Sequence, residues 1–308
     1  MSTSADAETG VTTTGEGSGR ARIGVVGDVM LGRLVNERMR QAGWSYPWGD
    51  IRDLLGTLDA FCINLECAIT PRTDKWYDRY ERPFHFRADP DAIETLRAGR
   101  VDFASNANNH IGDFGFGALL DTVDALERAG IAHAGAGRNA DAARAPALLT
   151  VRGLRVAVLA FADYPDTWAA SMSAPGLNFV TVSDDDEEFG PVAAAIGAAR
   201  ARADLVMVAI HWGPNMRERP TDEFRRFAHR VIDAGATVLW GHSAHILQGV
   251  EYRNGGVILY DAGDFVDDYA VDPVLRNDLG ALFILDVRPH EVAEVTCVPT
   301  RIDAMQVN

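Results

Sequence analysis

The chain has 308 residues, 47% hydrophobic and 24% charged, with a formal net charge of −15. That apolar fraction supports a sizeable core and excludes wholesale disorder, and no run approaches the roughly 18 apolar residues of a spanning helix. With no basic stripe, the acidic balance argues against nucleic acid and anionic membranes as partners, and it repels polyanions at long range unless a metal inverts the sign locally.

Residues 1–21 read as a disordered polar tail and residues 22–308 as a single folded domain. Met1 to Gly19 is Ser, Thr, Gly and acid without the apolar core of a secretory signal. Ile23–Asp28 is a short apolar run that stops at Gly27-Asp28, the pattern of a buried strand. A helix is expected over about 30–42, then strands at Phe61–Glu66 and Val101–Ser105. A helix over about 115–129 closes at Gly130, and Ile131–Ala134 forms a further strand. Ala147–Val151 and Leu154–Phe161 flank Arg152-Gly153 as a hairpin. Helices at about 190–202 and 222–234 lead into strands Leu205–Ile210 and Thr237–Trp240. Strands at Val257–Tyr260, Leu282–Val287 and Val292–Val298 complete an α/β layered fold. Cys62, Cys67 and Cys297 are odd in number and lack a Cys-x-x-Cys pair. They read as reduced thiols in a cytoplasmic protein.

Strand after strand ends in a metal-ligand or acid/base residue: Asp28, Glu66, Asn109-His110, His211 and His242. In open α/β sheets, ligands bind outside the carboxyl ends of the strands, so five such ends point to one shared site. Each residue also has a plain reading. Asp28 suits a turn or an N-cap, Glu66 a solvated loop, and Asn109-His110 a polar loop before a helix. Asn64 shares a strand face with Glu66 and could line the site. Asp113 could orient His110 or simply favour a helix start. His245 adds an imidazole three residues past His242. Together these groups suffice for two ions bridged by one carboxylate.

Gly27-Asp28-Val29-Met30-Leu31-Gly32-Arg33, Asn64-Leu65-Glu66, Asn108-Asn109-His110-x-x-Asp113, His211-Trp212-Gly213, Gly241-His242-x-x-His245 and Tyr260-x-x-Gly263-Asp264-Phe265 follow one another in the chain. This series resembles the calcineurin-like metallophosphatase superfamily, and more closely its CapA branch of capsule or poly-γ-glutamate biosynthesis proteins. The resemblance covers about residues 22–270. It implies a four-layer α/β/β/α sandwich with a mixed sheet core. It also implies two divalent ions (Mn, Fe or Zn), with Asp28 and His245 on the first, Glu66 bridging, and Asn109, His211 and His242 on the second. His110 would be the acid/base residue. Met30 stands where the wider superfamily has a histidine, which leaves one shell thinner. Asp264 replaces the branch's usual asparagine, and with Asp261 nearby it could be a ligand, meet a substrate amine or be solvated. Asp267 and Asp268 are expected to be solvated.

The resemblance implies a metal-dependent hydrolase that activates water, acting on a phosphate mono- or diester in a small-molecule or polymer-fragment substrate. Metal-assisted amide or γ-glutamyl chemistry and a non-catalytic polymer-binding or assembly role are the alternatives. Arg33, Lys75, Arg79, Arg82, Arg87 and Arg217 are the cations that could hold substrate anions, some of them in the aromatic- and arginine-rich segment Trp76–Arg87.

Overall fold

The computed structural model describes residues 10–12, 19–80 and 82–308. Its frame is two mixed sheets. In one, the strands run in the order Gln306–Val307, Glu291–Asp303, Leu279–Arg288, Ala21–Val29, Ala60–Leu65, Phe103–Ser105, Ala132–Ala134. Its last four strands are mutually parallel. In the other the order is Gly10–Thr12, Ala147–Val151, Leu154–Ala162, Leu205–His211, Val238–His242, Gly256–Leu259, Val250–Arg253. Here Leu154–Ala162, Leu205–His211, Val238–His242 and Gly256–Leu259 are parallel. The parallel strands read as nearly unbroken apolar runs because both of their faces are covered.

Alternation along these strands sorts the core into three clusters. Ile23, Val25, Cys62 and Phe103 join Val156, Val158, Met207 and Trp240 in a cluster shared by the two sheets. The rings of Phe103 and Trp240 meet there, 6.5 Å between centroids. The opposite faces of the first sheet (Val26, Phe61, Ile63) pack against Val35, Met39 and Leu96 of helices Arg33–Ala42 and Ile93–Ala98. Those of the second (Leu159, Val208, Leu239) pack against Ile196 and Val231 of helices Asp186–Arg200 and Asp222–Asp233. Among the described residues no helix is long and apolar enough to cross a membrane.

Several expectations shift. The first helix begins at Arg33 instead of about 30; the Met30 N–H donates to the Val266 carbonyl at 2.8 Å, carrying the pairing of Ala21–Val29 with Asp264–Val266 one residue further. The helix expected from 190 begins at Asp186, since the Asp185 carboxylate accepts the N–H groups of Glu187 and Glu188. Of the expected tail, residues 1–9 and 13–18 lie outside the described residues. Gly10–Thr12 departs from that expectation by pairing in parallel with Leu148–Thr150.

His133, in the strand Ala132–Ala134, shows what this burial does to a titrating group. Burial, helped by the nearby Arg138 guanidinium, lowers its pKa to about 4. The folded state therefore resists protonation that the unfolded chain accepts near the ordinary value of 6.5. Stability from this group is complete above about 6.5 and is lost as pH falls towards 4. We expect His133→Gln to remove up to about 3 kcal/mol of acid sensitivity. Urea unfolding compared at neutral pH and near pH 4 checks this, and an unchanged acid sensitivity in the variant would refute it.

Candidate metal centre

Two glycines let the strand ends close on one another. A Cβ on Gly27 would sit 1.7 Å from the Gly263 carbonyl oxygen. The Asp28 N–H donates to that same carbonyl at 3.0 Å, and Asp264 falls in parallel register with Asp28. A Cβ on Gly241 would lie 2.1 Å from the Tyr260 carbonyl oxygen, which keeps His242 close to the loop that follows Leu259. The loop from Ser243 to His245 then takes strained left-handed backbone, with φ +115° at Ser243 and +60° at His245. The Asp261 carboxylate pins it by accepting the N–H groups of Ala244 (2.7 Å) and Gly263 (2.8 Å).

The result is a buried cluster of acids and imidazoles. His245 Nδ1 lies 2.8 Å from Asp264 Oδ1 and 3.1 Å from Asp28 Oδ2. Asn64 donates to Asp28 Oδ1 at 2.7 Å and accepts from Asn108 at 3.0 Å. His211 and His242 stand in register on neighbouring strands with their Nδ1 atoms 3.0 Å apart. His242 Nδ1 is 3.9 Å from Asp28 Oδ1, and His211 Nε2 is 4.0 Å from Glu66 Oε1. The Tyr269 hydroxyl donates to Glu66 Oε2 at 3.2 Å.

Burial governs the charges here. It raises Glu66 well above the carboxylate range, and the Asp28 charge adds to the effect. It raises Asp264 in the same direction. It opposes ionisation of Asp28, yet the hydrogen bond and charge of His245 hold that carboxyl below its ordinary value. Burial also works to discharge His245, but Asp264 and Glu66 outweigh it and keep the imidazole protonated well above its usual range. His242 is lowered to about 4 and His211 falls well below its ordinary value, both chiefly by burial. Two neutral imidazoles beside clustered carboxylates make a mixed N/O donor set.

The donor set fits divalent metal. Glu66 Oε1, Asp264 Oδ2, Asn109 Oδ1 and His242 Nε2 are buried without a hydrogen-bond partner, a costly state that a bound cation would relieve. Asp28, His211 and His242 bring ligand atoms within 4.8 Å of one another, and so do Asp28, Glu66, His245 and Asp264. Asp28 is thus common to both groups, whereas the sequence resemblance makes Glu66 the bridge. Of the readings open to Asp264, the geometry favours a ligand, its carboxylate lying within the group of Asp28, Glu66 and His245. Met30 is buried with its sulfur on the Gly32 N–H, and the shell that lacks a histidine there gains the Asp264 carboxylate. Asn64, expected as a substrate contact, is fully buried and has both ends of its amide engaged. It orients Asp28.

His110 sits beside this cluster. Its Nδ1 is 2.6 Å from Asp113 Oδ2, which also accepts the Phe86 N–H at 2.7 Å. The Arg82 guanidinium lies 3.6 Å from Asp113 Oδ1, stacks over Trp168 and donates to the Asn109 carbonyl at 2.7 Å. Arg79 is paired with Asp166, and Arg87 with Asp89 and the Thr70 carbonyl. Arg33 lines the adjoining pocket with His110 and His245. The expectation that Asp267 and Asp268 are solvated does not hold. Asp268 pairs with Arg33 at 3.2 Å with its side chain 1% exposed. Asp267 is buried and accepts the Tyr269 N–H. Tyr269 and Phe86 escaped the sequence reading. The one available signal was the position of Tyr269, just past Gly263-Asp264-Phe265.

Asp28→Ala should abolish all metal binding, since it serves both groups, while His211→Ala should leave the group of Asp28, Glu66, His245 and Asp264 occupied. Metal content by mass spectrometry after Mn²⁺ loading and desalting decides this, and equal loss in the two variants would overturn the shared role of Asp28. Gly27→Ala should destabilise the fold by roughly 3 kcal/mol in urea unfolding, because the added methyl meets backbone.

Comparison with known proteins agrees with these motifs. Over 294 residues the chain is 34% identical to a probable polyglutamine synthesis accessory protein of Mycobacterium tuberculosis, covering 91% of this chain and 77% of that one. It is 29% identical over 292 residues to the PGA biosynthesis protein CapA of Bacillus subtilis, covering 91% and 74% respectively. The crystal structure of a hypothetical protein from Thermus thermophilus is similar in fold, with a TM-score of 0.55 at 16% identity over 92% of this chain and 100% of that one. Residues 22–269 match the family described as bacterial capsule synthesis protein PGA_cap, and the chain belongs to that family.

Proposed function

We propose that this protein is a metal-dependent hydrolase of phosphate mono- or diesters that acts on a small-molecule or polymer-fragment substrate in capsule or poly-γ-glutamate biosynthesis. The observation that carries this reading is the set of buried, unpartnered ligand atoms on Glu66, Asn109, His242 and Asp264 gathered around Asp28. The three apolar clusters support a four-layer α/β/β/α metallophosphatase-like sandwich, read as one domain over 22–308. Asp28, His211 and His242 would hold one divalent ion, and Asp28, Glu66, His245 and Asp264 a second, with Asn109 adding an amide oxygen to the first. Mn, Fe and Zn all suit such a shell. Ions held there would supply Lewis acidity towards water and phosphoryl oxygen.

The chain's own residues supply the proton chemistry. Asp113 fixes the His110 ring through Nδ1, leaving Nε2 as the group that gives a proton to the departing oxygen. Asp113 is held in turn by the Phe86 N–H, so the dyad is set before substrate arrives. Phe86 also covers one face of the His110 ring, 4.0 Å between centroids. Asp264, engaged with His245, is not available for a substrate amine, which counts against the amide version.

The Mn²⁺-loaded protein should carry about two ions per chain and turn over a chromogenic phosphodiester. His110→Ala should keep the metal and lose about 10²–10⁴-fold in turnover. A second reading is polymer binding without turnover, favoured by the word accessory in the Mycobacterium tuberculosis relative's description. Metal bound, no turnover of any phosphoester, and retained affinity for poly-γ-glutamate would establish it in place of the first.

A further inference from the structure

A cavity of ≈ 360 Å³ opens beside the metal centre, with His110 and His245 among its lining residues. Its size is that of a small-ligand site. The wall is built from rings. Phe84 and Phe86 lie at 21° to one another, 6.4 Å between centroids. Phe86 and Tyr269 lie at 29°, 5.5 Å between centroids. Phe86, in the middle, is buried with the His110 ring 4.0 Å from its centroid, so Phe84 is the ring of the three that is exposed at the wall. Phe84 is 56% exposed, an unfavourable place for a phenyl ring that nothing in the core explains. The Arg33 guanidinium lies 5.7 Å from the Phe84 centroid and 5.5 Å from that of Phe86, anchored at 3.2 Å by Asp268. A guanidinium has five N–H donors, so one carboxylate contact leaves donor capacity for a ligand anion.

We propose that this pocket binds the planar aromatic portion of an anionic substrate, stacked on Phe84, with substrate charge facing Arg33. This deepens the hydrolase reading and rests on it, placing the scissile group next to His110 and the ring on the wall. Planarity is the specific claim. An exposed aromatic ring rewards stacking of a flat group beyond the apolar area it buries. A saturated ring of like size would gain the burial alone.

Titration calorimetry on the Mn²⁺-loaded protein with phenyl-, cyclohexyl- and methylphosphonate tests this without turnover. Phenylphosphonate should bind about ten-fold tighter than methylphosphonate and about three-fold tighter than the cyclohexyl compound. Phe84→Ala, at an exposed position, should weaken phenylphosphonate about five-fold and leave methylphosphonate unchanged. Equal affinities for the three would overturn the pocket assignment and leave the hydrolase reading standing. If no phosphonate binds, phenylacetate and acetate take their place. A preference for phenylacetate that depends on Phe84 would uphold the pocket while overturning the phosphoester reading, and no preference would overturn both.

Discussion

The contact on which the rest depends is the buried triad of Asp28, His245 and Asp264. Asp28 closes a strand of one sheet, and His245 follows a strand of the other by three residues. Asp264 stands in register beside Asp28 on a short strand of its own. Asp28 and Asp264 both meet the His245 imidazole in a buried setting, and removing one of the three leaves a buried polar group without its partner. The local irregularities around it serve this approach. Gly27 admits the Gly263 carbonyl, Ser243 and His245 accept left-handed backbone, and Asp261 ties down the two loops that meet.

The triad also explains how charge is distributed across the site. His245 carries the positive charge, while His211 and His242, packed against each other, are kept neutral by burial. Neutral imidazoles keep a lone pair for coordination, and a protonated one does not. His245 is thus competent as a ligand only when a cation replaces its proton. A metal taken up there would have to displace the proton that the His245 site favours, whereas His211 and His242 would meet it neutral.

The strand-end chemistry was legible in the sequence because parallel strands bring their carboxyl ends to one side, so Asp28, Glu66, His110, His211 and His242 could be grouped without coordinates. The CapA-type motifs were legible for the same reason, each being a short run at one strand end. What was not legible came from pairs far apart in the chain. Tyr269 reaches Glu66 across 203 residues, and no local pattern announces that. The role of Asp264 stayed open because its strand of three residues is too short to show a period, and its partner Asp28 lies on a distant strand. Asp267 and Asp268 looked like a solvated acidic run, but Arg33 and the Leu34 and Tyr269 N–H groups draw them inward.

Tyr269 belongs to two systems at once. Its hydroxyl holds one oxygen of Glu66, while its ring stacks on Phe86 and meets the edge of His245 at 5.3 Å. Whatever presses on the ring therefore also tilts the carboxylate. The pocket and the ligand cluster share a lever, so the orientation of Glu66 reports on what fills the cavity beside it.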